Sequence, residues 1–349
     1  MTFERRRSTL RSTADLIASG LMNSEAADAI EPVLEEFSLA ITPHVAEIIS
    51  SADPDRAVAK QFIPTSSELG VLAKELADPI GDSRHSPVKG LVHRYVDRVL
   101  LKVLHTCPVY CRFCFRREQV GTGGEALNSN ELLAALNYIA AHPAIWEVIL
   151  SGGDPLILSP RKLADIQEKL SKIDHVRVLR IHSRVPVVDP DRITSDLVQV
   201  LRGGKTTYVV IHCNHPDELT PKALNACAML ADAGIPLLSQ SVLLKGINDD
   251  PAVLTKLFRT LVENRVKPYY LHHGDLAKGT SHFRTTIARG QELMRSLRGQ
   301  VSGICQPTFV LDIPGGHGKV PIGPGYLEKK TDRRFALVDP KGETHEYSD

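Results

Sequence analysis

The sequence predicts an α/β fold in which about six strand–helix units follow an N-terminal helical region. Three observations support this class. Helical periodicity dominates residues 1–90, short apolar runs then alternate with amphipathic runs, and polar residues stand where the apolar runs end. Six units are fewer than the eight of a complete barrel, so the pattern allows a partial barrel or a doubly wound sheet.

The composition is that of an ordinary globular protein and excludes several functional classes. The chain has 349 residues, of which 42% are hydrophobic and 24% charged, and its formal net charge is +1. This balance argues against a broad nucleic-acid or acidic-membrane surface, and no apolar run is long enough to span a bilayer. The basic N-terminal stretch MTFERRRSTLRSTADLIASG lacks the continuous apolar core of a secretory signal. We therefore expect a cytoplasmic protein with reduced thiols.

Residues 1–90 are predicted to form the N-terminal helical region. Apolar residues recur at helical spacing in STADLIASGLM, SEAADAIEPVLEEF and HVAEIIS, and Pro and Gly separate these stretches. The region carries no chemical motif. We interpret it as a layer that covers the rest of the fold.

Residues 91–300 are predicted to form the core, in which strands and helices alternate. Asn128 or Ser129 is a suitable N-cap for the first helix, and Pro160 lies in the first turn of the second. The predicted strands are 98–105, 147–155, 176–183, 207–215, 236–246 and 267–275. The predicted helices are 130–143, 160–173, 194–204, 220–234, 251–265 and 289–299.

Polar groups follow these strands at their C-terminal ends. In parallel α/β folds this rim is where active sites form. We therefore expect one rim to collect Cys107, the Ser151–Asp154 turn, His182, His212, Asn214, Gln240 and Asp275.

Three thiols lie close together in HTCPVYCRFCFRRE, residues 105–118. Cys107, Cys111 and Cys114 could hold three irons of a [4Fe–4S] cluster and leave the fourth iron open to a ligand. A zinc site completed by a distant His or Cys, or an accidental cluster, is the alternative. The other cysteines, Cys213, Cys227 and Cys305, are dispersed and are predicted to be small buried hydrophobes.

Two glycine-rich stretches complete the set of motifs. SGGDP, residues 151–155, ends a predicted strand, where glycine allows close backbone approach to a ligand or simply makes a tight turn. In LDIPGGHGKVPIGPGY, residues 311–326, Lys319 stands on a loop with few side chains and could form an imine with a carbonyl cofactor. Such a loop is also typical of solvated surface or a phosphate contact, and it is not a Walker A loop.

The cysteine loop resembles that of the radical S-adenosylmethionine (SAM) enzymes, which share the Cys-x3-Cys-x2-Cys spacing with an aromatic, here Phe113, before the last cysteine. The resemblance implies a partial (βα)6 barrel. It also implies that Cys107, Cys111 and Cys114 hold a [4Fe–4S] cluster whose open iron binds SAM. Ser151, Gly152, Gly153 and Asp154 would contact the SAM molecule.

A longer resemblance, from about residue 85 to about 330, is to the lysine 2,3-aminomutase family. It is carried in order by GLVHRYVDRVLLKVLHTCPVYCRFCFRR, SGGDPL, RIHSRVPVVDPDRIT, NHPDELT, SQSVLLKGIND, KPYYLHHGDLAKGTSHFRT and TFVLDIPGGHGKVPIGP. The resemblance implies that Lys319, in a C-terminal segment 301–349, holds pyridoxal 5′-phosphate (PLP). The other implied contacts are Arg94 and Arg98 with the PLP phosphate, Gln240 with the SAM–PLP region, Arg116 with the substrate carboxylate, and Asp275 and Asp312 with the ε-ammonium of lysine.

The implied reaction moves the α-amino group of L-lysine to the β-carbon. A one-electron reductant of the flavodoxin or ferredoxin type would serve the cluster, and a homo-oligomer is compatible with the helical N-terminal region. From composition alone, solvated charge at a helix end is the preferred interpretation of Arg94 and Arg98. A lysine isomerase that serves elongation factor P, or an aminomutase of other amino-acid specificity, is the alternative activity.

The chain also departs from the family pattern. No cysteine follows Cys305, so the zinc site of the longer family members is expected to be absent. His317 interrupts the usual glycine run, and a side chain there is expected to crowd PLP or alter the loop. The chain keeps the aspartate and Pro-Gly-Gly of the lysine loop, which the elongation-factor branch tends to lack, and this favours free lysine as substrate.

Overall fold

The computed structural model describes residues 8–50, 57–121 and 126–349. Residues 1–7 and 51–56, which belong to the predicted N-terminal region and include the start of the stretch compared with a secretory signal, lie outside the described residues. The helices are α1 Thr13–Ala18, α2 Ser24–Glu36, α3 Pro43–Ser50, α4 Ala57–Phe62, α5 Ser129–Ala140, α6 Pro160–Ser171, α7 Val185–Val188, α8 Ser195–Arg202, α9 Pro221–Asp232, α10 Pro251–Glu263 and α11 Ile287–Leu297. No helix within the described ranges is both long and apolar enough to cross a bilayer.

Within the described part of the chain, the strands form two sheets. They are β1 Leu91–Tyr95, β2 Arg98–Leu104, β3 Glu147–Gly152, β4 Val178–Ser183, β5 Thr206–His212, β6 Leu237–Val242, β7 Val266–His272, β8 Thr308–Asp312, β9 Lys319–Pro321, β10 Leu327–Lys329, β11 Arg334–Val338 and β12 Thr344–Ser348. The main sheet has nine strands in the order β1 to β9, and β10 to β12 form a separate sheet of three.

The main sheet is a curled partial barrel, so the predicted fold class is confirmed. Its strands are neighbours in chain order, which rules out the alternative of a doubly wound sheet, since that topology reverses the strand order. Strands β2 to β8 are parallel, while β1 and β9 close the two ends as antiparallel partners of β2 and β8. The sequence pattern did not predict β8 and β9, and these two strands carry Asp312 and Lys319.

Local sequence explains where the crossover helices begin. Asn128 caps α5 and shares a capping box with Glu131, so one of the two predicted caps is correct. Ser159 caps α6, and Pro160 occupies its first turn, where a missing N–H costs nothing. Thr220–Pro221 starts α9 in the same way. The helix starts were therefore readable from single residues.

The parallel strands separate an apolar outer face from a polar inner face. On β4, Leu179 and Ile181 are buried against the helices, while Arg180 and His182 line the interior. This follows from the two-residue period of a strand. The pairing register with β3 shifts between Lys102 and Leu104 of β2, close to the cysteine loop.

The N-terminal layer packs against the cysteine loop and holds it. A second apolar cluster joins Leu16, Ile41 and Phe62 of this layer to Val109 of the loop. Backbone bonds complete the contact, because the Tyr110 amide donates to the Ala40 carbonyl at 3.0 Å and the Arg112 amide donates to the Gln61 carbonyl at 2.9 Å. The layer therefore does more than cover the barrel.

Glu68 is the electrostatic centre of this contact. Its carboxylate accepts from Arg112 Nε at 3.0 Å and Nη2 at 2.6 Å, and also from the Arg117 guanidinium. All three side chains are buried. The Arg117 guanidinium lies 3.5 Å from the centre of the Phe37 ring, which fixes it against the same layer.

Replacing Glu68 by glutamine is expected to lower the free energy of unfolding by about 3–5 kcal/mol, since two buried guanidinium groups lose their counter-charge. Anaerobic urea denaturation followed by circular dichroism measures the change. Glu168→Gln is the matched control, because Glu168 forms an exposed pair with Lys172 and should leave the midpoint nearly unchanged. Equal midpoints for the two variants would show that Glu68 does not anchor the layer.

Candidate active site

The interior of the barrel holds a cavity of about 920 Å³, at the upper end of the size range for ligand pockets. Every site residue predicted from the sequence lines it. They are Arg94, Arg98, Cys107, Cys111, Cys114, Arg116, Ser151, Gly152, Gly153, Asp154, Gln240, Asp275, Asp312 and Lys319. His182 and His212 of the predicted rim also line the cavity, whereas Asn214 is buried behind it and bonds to Glu218. The thiol triplet and the lysine therefore face a shared space.

The cysteine loop presents three free thiols to this space. Burial raises the pKa of the Cys107 thiol, with further contributions from Asp154 and the neighbouring thiols, and burial with Cys111 raises the pKa of Cys114 to about 11. A bound metal supplies the charge that deprotonates such thiols. Cys213, Cys227 and Cys305 are buried, as predicted, and are not among the described residues that line the cavity. The donor set therefore fits a cluster held by three thiolates.

The glycines after β3 allow the strand end to touch the cysteine loop. A Cβ on Gly153 would lie 2.1 Å from the Thr106 carbonyl oxygen, and Gly152 adopts φ of +103°. The Gly153 amide donates to the Leu104 carbonyl at 2.7 Å. The sequence suggested that these glycines admit a ligand. The structure adds a second reason, which is the close approach of two backbones.

Asp154 ties the end of β3 to the end of β4. Its buried carboxylate accepts from Ser183 Oγ at 2.7 Å and from the amides of Leu156, Arg184 and Val185 at 3.1, 2.7 and 3.1 Å. Burial raises the pKa of Asp154, and these four bonds offset that shift in part. Its contact with SAM remains a prediction.

Arg116 is oriented by an acidic residue that the sequence did not reveal. Its Nε donates to Asp82 Oδ2 at 2.9 Å, and Asp82 also pairs with Lys102 at 3.7 Å and Arg94 at 3.4 Å. Burial opposes ionisation of Asp82, but these cations hold its pKa below the usual value. Asp82 lies 34 residues before Arg116, and no local pattern connects them.

Arg94 and Arg98 lie on strands β1 and β2 and line the cavity, so the interpretation as solvated helix-end charge is wrong. The Arg98 guanidinium lies 3.8 Å from the centre of the Tyr95 ring and donates to Asp97 at 2.7 Å. A planar guanidinium presents several donors to one anion. Both residues are thus placed where a phosphate within the cavity could meet them.

Lys319 is the first residue of β9, and its side chain reaches into the cavity. Its Nζ forms an ion pair with Asp312 and lies 3.2 Å from His272 Nδ1, a residue that the sequence analysis did not select as a ligand. The backbone amide of Lys319 donates to Tyr95 Oη at 2.8 Å. The lysine thus enters the cavity from a fixed point of the sheet.

The loop before Lys319 depends on left-handed glycines. Gly315, Gly316 and Gly318 have φ of +82°, +87° and +95°. The Gly315 amide donates to the Pro79 carbonyl at 3.1 Å, which ties the loop to the N-terminal layer. His317 is exposed and is not among the described residues that line the cavity, and its effect on the cofactor and the loop stays a prediction.

Asp275 and Asp312 differ strongly in their tendency to ionise. Burial and then the Asp312 carboxylate raise the pKa of Asp275 to about 7. Burial also opposes ionisation of Asp312, but His272 and Lys319 hold its pKa well below the usual range. Burial and Lys319 lower the pKa of His272, so its imidazole is neutral near pH 7. Asp312 is therefore ionised near pH 7, whereas Asp275 is only partly ionised, and a bound cation would favour its ionised form.

A partial barrel with this thiol triplet at its strand ends defines a radical SAM enzyme, and residues 101–258 match the Radical SAM superfamily model. Residues 294–349 match the family model described as Lysine-2,3-aminomutase. The L-lysine 2,3-aminomutase of Fusobacterium nucleatum is 42% identical over 97% of this chain and 82% of its own length. That of Acetoanaerobium sticklandii is 44% identical over 92% and 78%, and the Glutamate 2,3-aminomutase of Clostridioides difficile is 37% identical over 86% and 71%. This chain belongs to the lysine 2,3-aminomutase family.

Membership makes the protein an isomerase whose cofactors are a [4Fe–4S] cluster, SAM and PLP. The cavity fits this set, since the thiols, the glycine turn and the lysine all line it. The sequence analysis missed Asp82, Arg184 and His272 as polar groups of the site.

Proposed function

We propose that this protein converts L-lysine to β-lysine by moving the α-amino group to the β-carbon. The observation that carries the proposal is that one cavity contains the thiol triplet, Lys319, Arg116 and the carboxylates Asp275 and Asp312. When bound, the cluster and SAM would supply the radical chemistry that removes a hydrogen atom from the substrate, and PLP would supply the carbonyl that carries the migrating nitrogen. The chain itself orients the substrate and keeps water out.

Arg116 binds the substrate carboxylate in this proposal. Asp82 occupies its Nε, so the two terminal nitrogens remain for a planar, bidentate contact. Arg116 Nη1 lies 3.5 Å from Ser151 Oγ on the predicted SAM turn, so the carboxylate would be held beside the group that starts the reaction. Asp82 fixes the plane of the guanidinium before the substrate arrives.

Asp275 and Asp312 bind the terminal ammonium of the substrate. Asp312 already holds an ammonium, that of Lys319, which supports its suitability for this contact. A substrate with a second carboxylate would meet two acidic groups and be repelled. The pair therefore favours lysine over glutamate, the substrate in the name of the Clostridioides difficile relative.

The affinity for L-lysine is expected to rise with pH up to about 7 and then level off. Below that pH Asp275 is protonated, and an ammonium ligand favours its ionised form, so binding releases a proton. The affinity should fall by up to about tenfold per pH unit below 7. Calorimetry on the cofactor-loaded protein without reductant measures this, and Asp275→Asn should remove the slope. A slope that persists in Asp275→Asn would assign the titration to another group.

The activity is tested with anaerobically reconstituted protein, dithionite, SAM and PLP. L-lysine, L-glutamate and L-alanine are compared in parallel, and the stereochemistry of the product is determined. β-Lysine from L-lysine with little turnover of the other two supports the proposal. A normal cluster spectrum without any β-amino acid product would overturn it.

Two further partners belong to the same proposal. A one-electron reductant of the flavodoxin or ferredoxin type would reduce the cluster, and a reduced flavodoxin should replace dithionite in the assay. A homo-oligomer is proposed as well, and light scattering of the reconstituted protein tests it. A monomeric mass would exclude the homo-oligomer and leave the proposed reductant unaffected.

A further inference from the structure

We propose that Arg184 is a positioning residue for the cluster, which raises the reduction potential by donating a hydrogen bond to the sulfur of Cys111. The N-terminal layer, through Gln61, holds Arg184 in place for this contact. The inference rests on the proposed function of the three thiols as cluster ligands. It gives the N-terminal layer a part in the electron transfer that starts the reaction.

Arg184 follows β4 directly and crosses to the cysteine loop. Its Nη1 donates to Cys111 Sγ at 2.7 Å, although the two residues are 73 positions apart in the chain. Its backbone amide is bound by Asp154, so both ends of the residue are fixed. The residue is only 5% exposed, so its guanidinium is surrounded by protein groups.

The other side of the guanidinium is bound by two buried acceptors. Nη2 donates to Gln61 Oε1 and to Glu218 Oε2, both at 2.6 Å. Gln61 is fully buried on α4 of the N-terminal layer, and its own amide donates to Glu218 at 3.0 Å. The guanidinium also lies 4.5 Å from the centre of the Phe62 ring. These contacts leave Arg184 one orientation, with Nη1 directed at the sulfur.

A hydrogen bond to a cluster sulfur withdraws electron density from the iron–sulfur unit. It therefore favours the reduced form, which carries one more negative charge, and raises the potential. Glu218 balances the charge of Arg184 at close range. The hydrogen bond from Arg184 Nη1 to the sulfur then affects the reduction potential more than the net charge of the Arg184–Glu218 pair does.

The test is an anaerobic dithionite titration of the reconstituted protein, followed by electron paramagnetic resonance in the absence of SAM. Arg184→Met should make the midpoint potential more negative. Arg184→Lys should shift the midpoint in the same direction by less. An ammonium keeps a charged N–H donor at this position, but it cannot reach the sulfur and both acceptors together. Arg180→Met is the control, since Arg180 lines the same cavity as a cation paired with Glu147. Its midpoint should stay close to the wild-type value.

An unchanged midpoint in Arg184→Met, or an equal shift in Arg180→Met, would overturn the inference. If Arg184→Met fails to assemble a cluster, Gln61→Ala decides. That variant frees the far side of the guanidinium and should shift the potential in the same direction by less, whereas a wild-type midpoint would overturn the inference. A wild-type protein without any cluster would overturn the proposed function, and this inference with it.

Discussion

Replacing Lys319 by alanine is expected to abolish both covalent PLP binding and turnover while the cluster stays intact. Lys319 is the described lysine whose Nζ reaches the cavity, and an amine is needed there to hold a carbonyl cofactor. The loss of turnover should be several orders of magnitude. Absorbance of bound PLP, iron and sulfide content, and β-lysine formation are measured on the same preparation.

The cluster should survive this change because a different part of the molecule holds it. The cysteine loop is fixed by hydrogen bonds with Gln61, Glu68 and the strand end at Gly153, whereas β9 pairs with β8. His317→Ala is the matched control, since His317 is exposed two residues away and should leave PLP absorbance unchanged. Covalent PLP in Lys319→Ala would mean that the lysine has been misassigned.

Replacing Asp312 by asparagine is expected to lower kcat/KM for L-lysine by about thirtyfold to about four thousandfold. Removing one partner of a buried charge pair costs about 2–5 kcal/mol, and each 1.4 kcal/mol is about tenfold. Asp312 also pairs with the ammonium of Lys319, so PLP loading is measured separately. Steady-state kinetics at saturating PLP isolates the effect on substrate.

The same variant should change the pH dependence of lysine binding. The Asp312 charge is one reason that the pKa of Asp275 is raised to about 7, so its removal should move that pKa down. The rise in affinity with pH should then end at a lower pH than in the wild type. Asp196→Asn, on the exposed first turn of α8, is the control. A kcat/KM within twofold of wild type would exclude Asp312 from substrate recognition.

The site was predictable where its residues are close in sequence. The spacing of Cys107, Cys111 and Cys114 and the strand-end turn at Ser151 are local patterns, and each lines the cavity as expected. The cap at Asn128 and the first-turn position of Pro160 were equally local. The missed strands β8 and β9 are short, and glycines interrupt the stretch between them, so no periodicity could reveal them.

The residues that orient the site were not predictable in the same way. Asp82, Arg184 and His272 act through partners 34 to 73 positions away, so no spacing rule connects them. The burial that raises the pKa of Asp275 likewise exists only in the folded chain. The position of His317 shows the same limit. The sequence places it two residues before Lys319, but only the folded loop shows that its side chain faces solvent.

The sequence by itself determined the chemical groups of this protein, namely three thiols on one loop, a glycine turn, a lysine on a rigid loop and the acidic residues. Covalent spacing is sufficient for that, because neighbouring residues cannot separate. Only the tertiary structure decided that the thiols and Lys319, more than 200 residues apart, face one cavity, and that Asp82 and Arg184 hold their partners in place. Those contacts arise from the curl of the sheet and the packing of the N-terminal layer, which bring distant segments together at hydrogen-bond distance.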